Sequence, residues 1–224
     1  MGVTFITGID TGIGKTYATG LAARFLRKRG ESVITQKVVQ TGCSDKSEDI
    51  AIHRAIMGME YTDDDEKGLT CPYLFAFPAS PHLAAELEHA NIDLDVITRA
   101  TEELTRKYGR VLLEGAGGLS VPLNDNSTLL DYLTMRNYPI VIVSSSRLGS
   151  ISHTLMALEL LKYRDLSVRG IIYNRYPDEK IEIAEDSKKI FVKYLAKFGY
   201  PSAVVDMPVF DLHAIPDIDF SCLF

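Results

Sequence analysis

The chain has no tryptophan, only three cysteines and no apolar run long enough for a membrane span. A membrane-crossing helix needs about 20 consecutive apolar residues, so we expect no membrane partner. Cys43, Cys71 and Cys222 are odd in number and far apart, which argues against a disulfide framework or a structural zinc site. The first residues lack a basic segment followed by an apolar run. We therefore expect no signal peptide and a reducing, cytoplasmic location.

The chain has fewer basic than acidic residues, and its histidines form no recognisable pattern. Lys and Arg number 24 against 30 Asp and Glu, giving a net charge of −6. A protein that binds nucleic acid through its phosphate backbone needs a basic surface. The five histidines are scattered without metal-ligand spacing. We expect small-molecule substrates and no nucleic-acid partner.

Short apolar segments alternate with segments of helical periodicity along the 224 residues. The predicted strands are 3–7, 33–37, 111–113, 139–143, 168–173 and 203–205, and the predicted helices are 18–26, 47–57, 81–89, 95–108, 129–135, 151–163 and 180–198. Residues 58–78 look irregular, with the acidic run 63–66 as a solvated loop, and residues 206–224 are poorly patterned. This alternation predicts one α/β domain, 1–224, with a parallel sheet covered by helices on both faces.

The strongest motif is the glycine-rich segment GIDTGIGKT at residues 8–16. It follows a predicted strand and leads into a predicted helix, as a phosphate-binding loop does, although five residues separate Gly8 from Gly14 where the common pattern has four. Lys15 can bridge the β- and γ-phosphates, and Thr16 can bind Mg²⁺. The motif predicts a doubly wound fold like that of the P-loop NTPases. ATP is favoured over GTP because the segment that begins at Asn174 lacks the aspartate of a guanine motif.

Three further charged residues fall near the predicted strand-exit edge, where ligands of such sheets bind. Lys37 ends the second predicted strand, where it could neutralise a transferring phosphoryl group or simply be exposed. Glu114 ends another strand and could hold Mg²⁺ or cap a turn. Asp49 could be a second metal carboxylate, although an ordinary acid at a helix N-terminus is the more common explanation.

The order and spacing of these motifs resemble those of the dethiobiotin synthetase family. The matching segments cover residues 2 to about 175 and are 7–11 with 14–16, Lys37, 41–42, Asp49, 80–82, 114–118, 148–149, 153–154 and Asn174. The chain departs from the family pattern at several positions, among them Gly12, where an acid is common, and Ser152, where asparagine is usual.

The resemblance implies a homodimer that makes dethiobiotin from 7,8-diaminononanoate, CO₂ or bicarbonate and ATP, with Mg²⁺. It implies that Lys37 and Lys15 are catalytic and that the dimer's active sites are shared between subunits. Nucleotide contacts are implied for Gly12, Ile13, Gly14, Lys15, Thr16, Tyr17, Asp49, Glu114, Gly115, Ala116, Gly117, Asn174, Arg175 and Pro208. The implied metal ligands are Thr16, Asp49 and Glu114, and the implied substrate contacts are Thr41, Gly118, Gly149, Ser150 and Ser152.

Three other functions fit a phosphate-binding loop, and one of them is a bare nucleotide-binding regulator. Amidating ligases of cobalamin synthesis resemble this fold but carry an additional glutamine-hydrolysing domain with a nucleophilic cysteine, for which this chain has no room. Partition and cell-division ATPases have a second lysine near the start of the loop, where this chain has Ile9 and Asp10. Whether ATP hydrolysis requires a diamine and bicarbonate separates these functions.

Overall fold

A computed structural model of the chain describes residues 2–177 and 180–224. Its strands are β1 (Gly2–Gly8), β2 (Val33–Lys37), β3 (Gln40–Thr41), β4 (Leu74–Phe75), β5 (Arg110–Gly118), β6 (Pro122–Asn124), β7 (Ser127–Thr128), β8 (Ile140–Ser145), β9 (Val168–Asn174) and β10 (Val204–Met207). Its helices are α1 (Lys15–Lys28), α2 (Glu48–Met57), α3 (Asp63–Glu66), α4 (Pro81–Leu87), α5 (Leu94–Lys107), α6 (Leu129–Arg136), α7 (Ser150–Tyr163) and α8 (Ile181–Phe198).

Six parallel strands form the central sheet in the order β10-β9-β8-β1-β5-β2. Alternate side chains of these strands enter two separate cores. Phe5 packs with residues of α4, α5, α6, α7 and α8, whereas its neighbour Ile6 packs with residues of α1 and α2. Because helices cover both faces of a parallel sheet, the predicted fold class is confirmed.

The observed helix boundaries agree with the predicted ones to within about two residues at most ends. Ser47 caps α2 as predicted, because its hydroxyl accepts a hydrogen bond from the backbone N–H of Ile50 at 3.2 Å. At the end of α1, Gly30 adopts a left-handed φ of 83° immediately after the cap residue. Local signals therefore set these ends.

Two segments that looked irregular contain buried residues. The acidic run is the short helix α3, and its Asp64 is buried instead of solvated. The C-terminal residues Phe220 and Leu223 are buried in the core beside α1, with Phe220 edge-to-face on Phe25 at 5.9 Å. The prediction of a solvated loop at 63–66 is therefore wrong. Within the described ranges, no helix is both long and apolar enough to cross a membrane.

Candidate active site

The phosphate-binding loop connects β1 to α1, and Lys15 folds back over it. Gly14 lies at the N-cap of α1 with φ 94°, and no side chain caps the first turn. The backbone N–H groups of that turn are thus available to an anion. The Lys15 ammonium donates a hydrogen bond to the Asp10 carbonyl at 2.8 Å. A side chain at Gly14 would collide with the Asn174 amide, 2.5 Å from an added Cβ.

Lys15 is 6% exposed and borders the cleft described below. Burial lowers the pKa of Lys15 to about 8, and the nearby Lys37 cation acts in the same direction, against the attraction of Glu114. Among the residues that the structure describes, this lysine therefore has no strong anionic partner. A bound polyphosphate would supply one.

Four predicted site residues converge beside the loop. The Lys37 ammonium lies 2.5 Å from Asp49 Oδ2 and 2.7 Å from Glu114 Oε1. The Thr16 hydroxyl donates to Asp49 Oδ1 at 2.8 Å and lies 3.4 Å from Glu114 Oε1. Burial alone would lower the pKa of Lys37, but attraction to Glu114 and Asp49 outweighs it and raises the pKa above its usual value. Of the two alternatives for Lys37, the exposed lysine is wrong.

Glu114 is fully buried at the end of β5 and remains ionised. Burial would raise the pKa of this carboxyl, but Lys37 and a hydrogen bond from His53 hold it well below its usual range. His53 Nε2 lies 2.9 Å from Glu114 Oε2, and the histidine is itself fully buried. The sequence analysis missed His53. Its spacing of four from Asp49, which sets both residues on one face of α2, was the available signal.

These residues line a cleft of about 620 Å³ at the strand-exit edge of the sheet. It brings together the predicted residues Gly12, Gly14, Lys15, Thr16, Lys37, Thr41, Asp49, Glu114, Ala116 and Gly117. Its wall also includes Thr11, Ser80 and Pro81, which lie in the matching motif segments but had no predicted contact. It further includes residues that the sequence analysis did not single out, namely Val39, Gln40, Pro78, Ala79 and Val121. The Gln40 amide oxygen accepts a hydrogen bond from the Ser47 hydroxyl at 3.0 Å, which ties the start of α2 to this wall.

The oxygen ligands in the cleft suit Mg²⁺. In the described part of the chain, no three His, Cys, Asp or Glu side chains form a metal centre. One hydroxyl and two carboxylates, from Thr16, Asp49 and Glu114, do meet there. Mg²⁺ is commonly held by one or two carboxylates, waters and substrate phosphates. The residues present therefore fit this ion.

A second cavity of about 330 Å³ lies on the other side of Gly12 and Gly14. It is lined by Gly12, Gly14, Tyr17, Asn174, Tyr176, Met207, Pro208, Val209 and Phe210. The Tyr17 and Phe210 rings pack edge-to-face at 5.7 Å. Asn174 donates to the Ile13 carbonyl and accepts from the Tyr176 backbone N–H, both at 3.0 Å. Its side chain therefore joins two loops as well as facing the cavity.

Several predicted residues lie elsewhere. The Arg175 guanidinium pairs with Asp206 at 2.6 Å and Glu185 at 2.8 Å, and Arg175 does not line the second cavity. An added Cβ on Gly115 would meet Leu129 at 2.8 Å, which assigns this glycine to close packing.

The structure leaves two further predicted residues only their backbone groups for a contact. Ile13 is buried in the core, which leaves only its backbone for a phosphate contact. The Ser150 hydroxyl is buried against that of Ser145 at 3.0 Å and is turned into the chain. Gly149 and Ser152 are exposed and line neither cavity.

An apolar groove of about 850 Å³ runs between the phosphate-binding loop and α7. Gly118 lines this groove and not the cleft beside Lys37. Met156 and Tyr163 line it from α7 and are 56% and 84% exposed. These two residues are seven apart and therefore share one face of the helix. Large apolar side chains left open in this way are typical of protein interfaces.

Arg54 fixes α2 to the rest of the molecule. Its guanidinium donates to Asp65 Oδ2 at 2.9 Å and Oδ1 at 2.7 Å, and to the Thr35 hydroxyl at 2.7 Å. The Arg54 and Asp65 side chains are 2% and 1% exposed. The acidic run thus anchors the helix that carries Asp49 and His53.

Solved structures of similar fold include P-loop proteins of other functions. pNOB8 ParA bound to nonspecific DNA has a TM-score of 0.57 at 12% identity, over 94% of this chain and 86% of that one. The MinC:MinD cell division complex of Aquifex aeolicus has a TM-score of 0.55 at 17% identity, over 93% of this chain and 81% of that one. These likenesses show the fold alone.

Sequence comparisons identify the family. A family model described as an AAA domain matches residues 3–206. The ATP-dependent dethiobiotin synthetase BioD 2 of Pasteurella multocida is 50% identical over 197 residues, or 88% of this chain and 92% of that protein. The ATP-dependent dethiobiotin synthetase BioD of Chlorobaculum tepidum is 49% identical over 215 residues, or 96% and 90%. The resemblance drawn from the motifs is confirmed. The chain belongs to the family of ATP-dependent dethiobiotin synthetases, and it is an ATP-dependent ligase of biotin biosynthesis.

Proposed function

We propose that this protein closes the ureido ring of dethiobiotin from 7,8-diaminononanoate, CO₂ and ATP, with Mg²⁺ bound at Thr16, Asp49 and Glu114. The observation that carries the proposal is the single cleft shared by the phosphate-binding loop and Lys37, with the Thr41 hydroxyl on its wall. A triphosphate and a small acceptor can meet in such a cleft. The 48–51% identity to relatives named as dethiobiotin synthetases supports the choice of acceptor.

The proposed reaction has three steps. One amine of the substrate attacks CO₂ and loses a proton, giving a carbamate. A carbamate oxygen attacks the γ-phosphorus, and the bond to ADP breaks, which leaves a carbamic-phosphoric anhydride. The second amine attacks the carbonyl carbon, loses a proton and expels phosphate, which closes the five-membered ring. Positioning and charge neutralisation supply most of the catalysis in such transfers.

The residues of the cleft match the charges of these steps. Lys37 is kept cationic by its carboxylate neighbours and can stabilise negative charge on the carbamate and the γ-phosphoryl group. Lys15 and the amides of the loop hold the phosphates. Mg²⁺, when bound, would neutralise phosphate charge. Gly117, with φ 65°, permits a turn that leaves backbone close to the substrate.

The aromatic cavity beside Gly12 suits the base of the nucleotide. Tyr17, Pro208 and Phe210 offer apolar surface, and Asn174 contributes a polar edge. Gly12 and Gly14 line both this cavity and the cleft that contains Lys15, so one nucleotide can lie across the two glycines. ATP is therefore the proposed nucleotide.

The proposed active unit is a homodimer in the cytoplasm with shared active sites. The apolar groove along α7 supports a second copy of the chain as its occupant, because two-fold dimers are the commonest oligomers. The substrate carboxylate would then reach the partner's Gly149–Ser152 loop at the start of α7. No nucleic acid or membrane takes part in this proposal, in line with the net charge of −6.

Product analysis tests the function. The protein is incubated with diaminononanoate, bicarbonate, Mg²⁺ and ATP, and dethiobiotin, ADP and phosphate are measured by mass spectrometry and phosphate release. We expect the three products in equal amounts and no ATP turnover without the diamine. Lys15→Ala should remain folded and inactive. ATP hydrolysis that is indifferent to the diamine would refute the proposal.

A further inference from the structure

The two oxygens of the Glu114 carboxylate have different partners. Oε1 faces the cleft, 2.7 Å from the Lys37 ammonium and 3.4 Å from the Thr16 hydroxyl. Oε2 faces His53 Nε2 at 2.9 Å. Lys37 lines the cleft, whereas His53 is fully buried and does not. Lys37 can therefore respond to a ligand in the cleft, whereas packing fixes His53.

The geometry assigns a proton to His53 Nε2. A carboxylate accepts hydrogen bonds and donates none when ionised, so the nitrogen 2.9 Å from Glu114 Oε2 is the donor. The other ring nitrogen, Nδ1, is buried and has no hydrogen-bond partner among residues 2–177 and 180–224. The hydrogen bond at Nε2 is therefore the polar contact that orients the ring among the described residues.

Lys37 and a metal ion would compete for the same carboxylate oxygens. The Lys37 ammonium contacts Asp49 Oδ2 and Glu114 Oε1, which are oxygens of two proposed Mg²⁺ ligands. A cation bound to these oxygens would leave the Lys37 ammonium free to contact the phosphoryl group. Glu114 then keeps its orientation only if another donor holds it.

We propose that His53 is a positioning residue that holds Glu114 Oε2 and so keeps Oε1 aimed at the cleft, where a metal ion would replace Lys37 as the partner of Oε1. This inference rests on the proposed function, since that assigns the metal to Glu114. The spacing of Asp49 and His53 lets α2 supply one ligand and orient the other. The Arg54–Asp65 pair in turn fixes α2.

Metal binding in two variants tests the role. Mn²⁺ serves as the probe in the complex with ADP, and its free fraction is measured by electron paramagnetic resonance. Loss of a group that orients a metal ligand typically costs about 10–100-fold in affinity, and we expect a loss in that range for His53→Leu. His53→Gln, which can still donate an N–H, should recover much of it. The matched control is His213→Leu, because the His213 side chain is exposed in the C-terminal segment.

A second measurement does not depend on the variants. In wild-type protein labelled with ¹⁵N-histidine, we expect the His53 proton on Nε2, protected from exchange with solvent. A ring without a proton on Nε2 would overturn the proposal, as would unchanged Mn²⁺ affinity in folded His53→Leu or no Mn²⁺ binding by the wild type. If His53→Leu does not fold, the Mn²⁺ affinity of His53→Gln and the ¹⁵N spectrum of the His53 ring test the proposal instead. Both measurements omit the diamine, so a failure to form dethiobiotin is seen separately.

Discussion

Lys37 and Glu114 are register partners on the neighbouring parallel strands β2 and β5, and their side chains form an ion pair of 2.7 Å. The register of these two strands thus places a buried cation next to a buried anion at the strand-exit edge. Asp49, from α2, contacts the same ammonium. The cluster holds one lysine between two carboxylates, and it is next to the loop that binds phosphate.

We expect Lys37→Gln to lower turnover by a factor on the order of 10² or more, by analogy with the loss of one electrostatic donor. ATP affinity should change far less, because charge at this position matters most when the phosphoryl group transfers. Steady-state kinetics and calorimetric ATP titration measure the two effects. Lys46→Gln, at an exposed lysine paired with Glu66, is the control. Weaker ATP binding with normal turnover at saturation would make Lys37 a binding residue only.

ATP binding should take up a proton above about pH 8. The pKa of Lys15 is lowered to about 8 in the free protein, and a bound polyphosphate favours the protonated form and raises that pKa. ATP affinity should therefore fall as the pH rises from 8 toward the pKa of the complex. Titration calorimetry at pH 8.5 in buffers of different ionisation enthalpy measures the uptake directly. If the corrected heat of ATP binding is the same in every buffer, no proton is taken up and the prediction is wrong.

Removing the Lys15 charge should also change the pH dependence of folding stability. The folded-state pKa of Lys15 is below its unfolded-state value, so the unfolded chain binds more protons between these two values. The contribution of this group to stability therefore rises with pH above about 8. Urea denaturation at pH 7.5 and 9.5 should show a more positive pH slope for the wild type than for Lys15→Met. Identical slopes would argue against a depressed pKa.

Asp65→Asn should destabilise the fold by about 3–5 kcal/mol, because it leaves the buried Arg54 guanidinium without its anion. Hydrogen bonds from Arg54 lower the pKa of Asp65 to about 2 despite burial. Its stabilising effect should be present above its unfolded-state value of about 4 and be lost as the pH falls toward 2. The control, Asp63→Asn, lies at an exposed position of the same acidic run. Equal urea midpoints for the two variants would refute the role of the ion pair.

Phe210→Ala should weaken ATP binding by about 1–3 kcal/mol, the usual effect of removing an aromatic group that stacks on a base. Turnover at saturating ATP should stay close to normal, because Phe210 lies in the second cavity, away from Lys37. Leu212→Ala is a nearby control, since Leu212 is 40% exposed and lines neither cavity. ATP titration of both variants gives the comparison. Equal ATP affinities for the two variants would show that the base does not bind in this cavity.

Mixed dimers test the shared sites. Bulk is introduced at the exposed Ser152 by Ser152→Trp, because Ser150 is buried and a large residue there would disturb folding. We expect this variant and Lys37→Gln to be inactive alone. If sites are shared across a two-fold axis, each mixed dimer has one intact site and about half the activity of a normal dimer. Subunit exchange without any recovered activity would refute sharing.

Local patterns were sufficient for the phosphate-binding loop and the alternation of strands and helices. Glycine spacing, Ser47 as a helix cap and the apolar periods depend on neighbours in the sequence, so they can be found without a structure. The family resemblance relied on the same local motifs. General rules for parallel sheets then predicted that Lys37 and Glu114 would share one edge.

Only the tertiary structure decided which side chains enter the site and which leave it. His53 meets Glu114 across 61 positions of sequence, and Arg54 removes Asp65 from solvent. Arg175, although next to Asn174, pairs with Asp206 and does not line the second cavity. Phe210 joins that cavity from a segment without periodic patterning. In each case the outcome depends on long-range packing and on which buried charge finds a partner, and neither can be read from neighbouring residues.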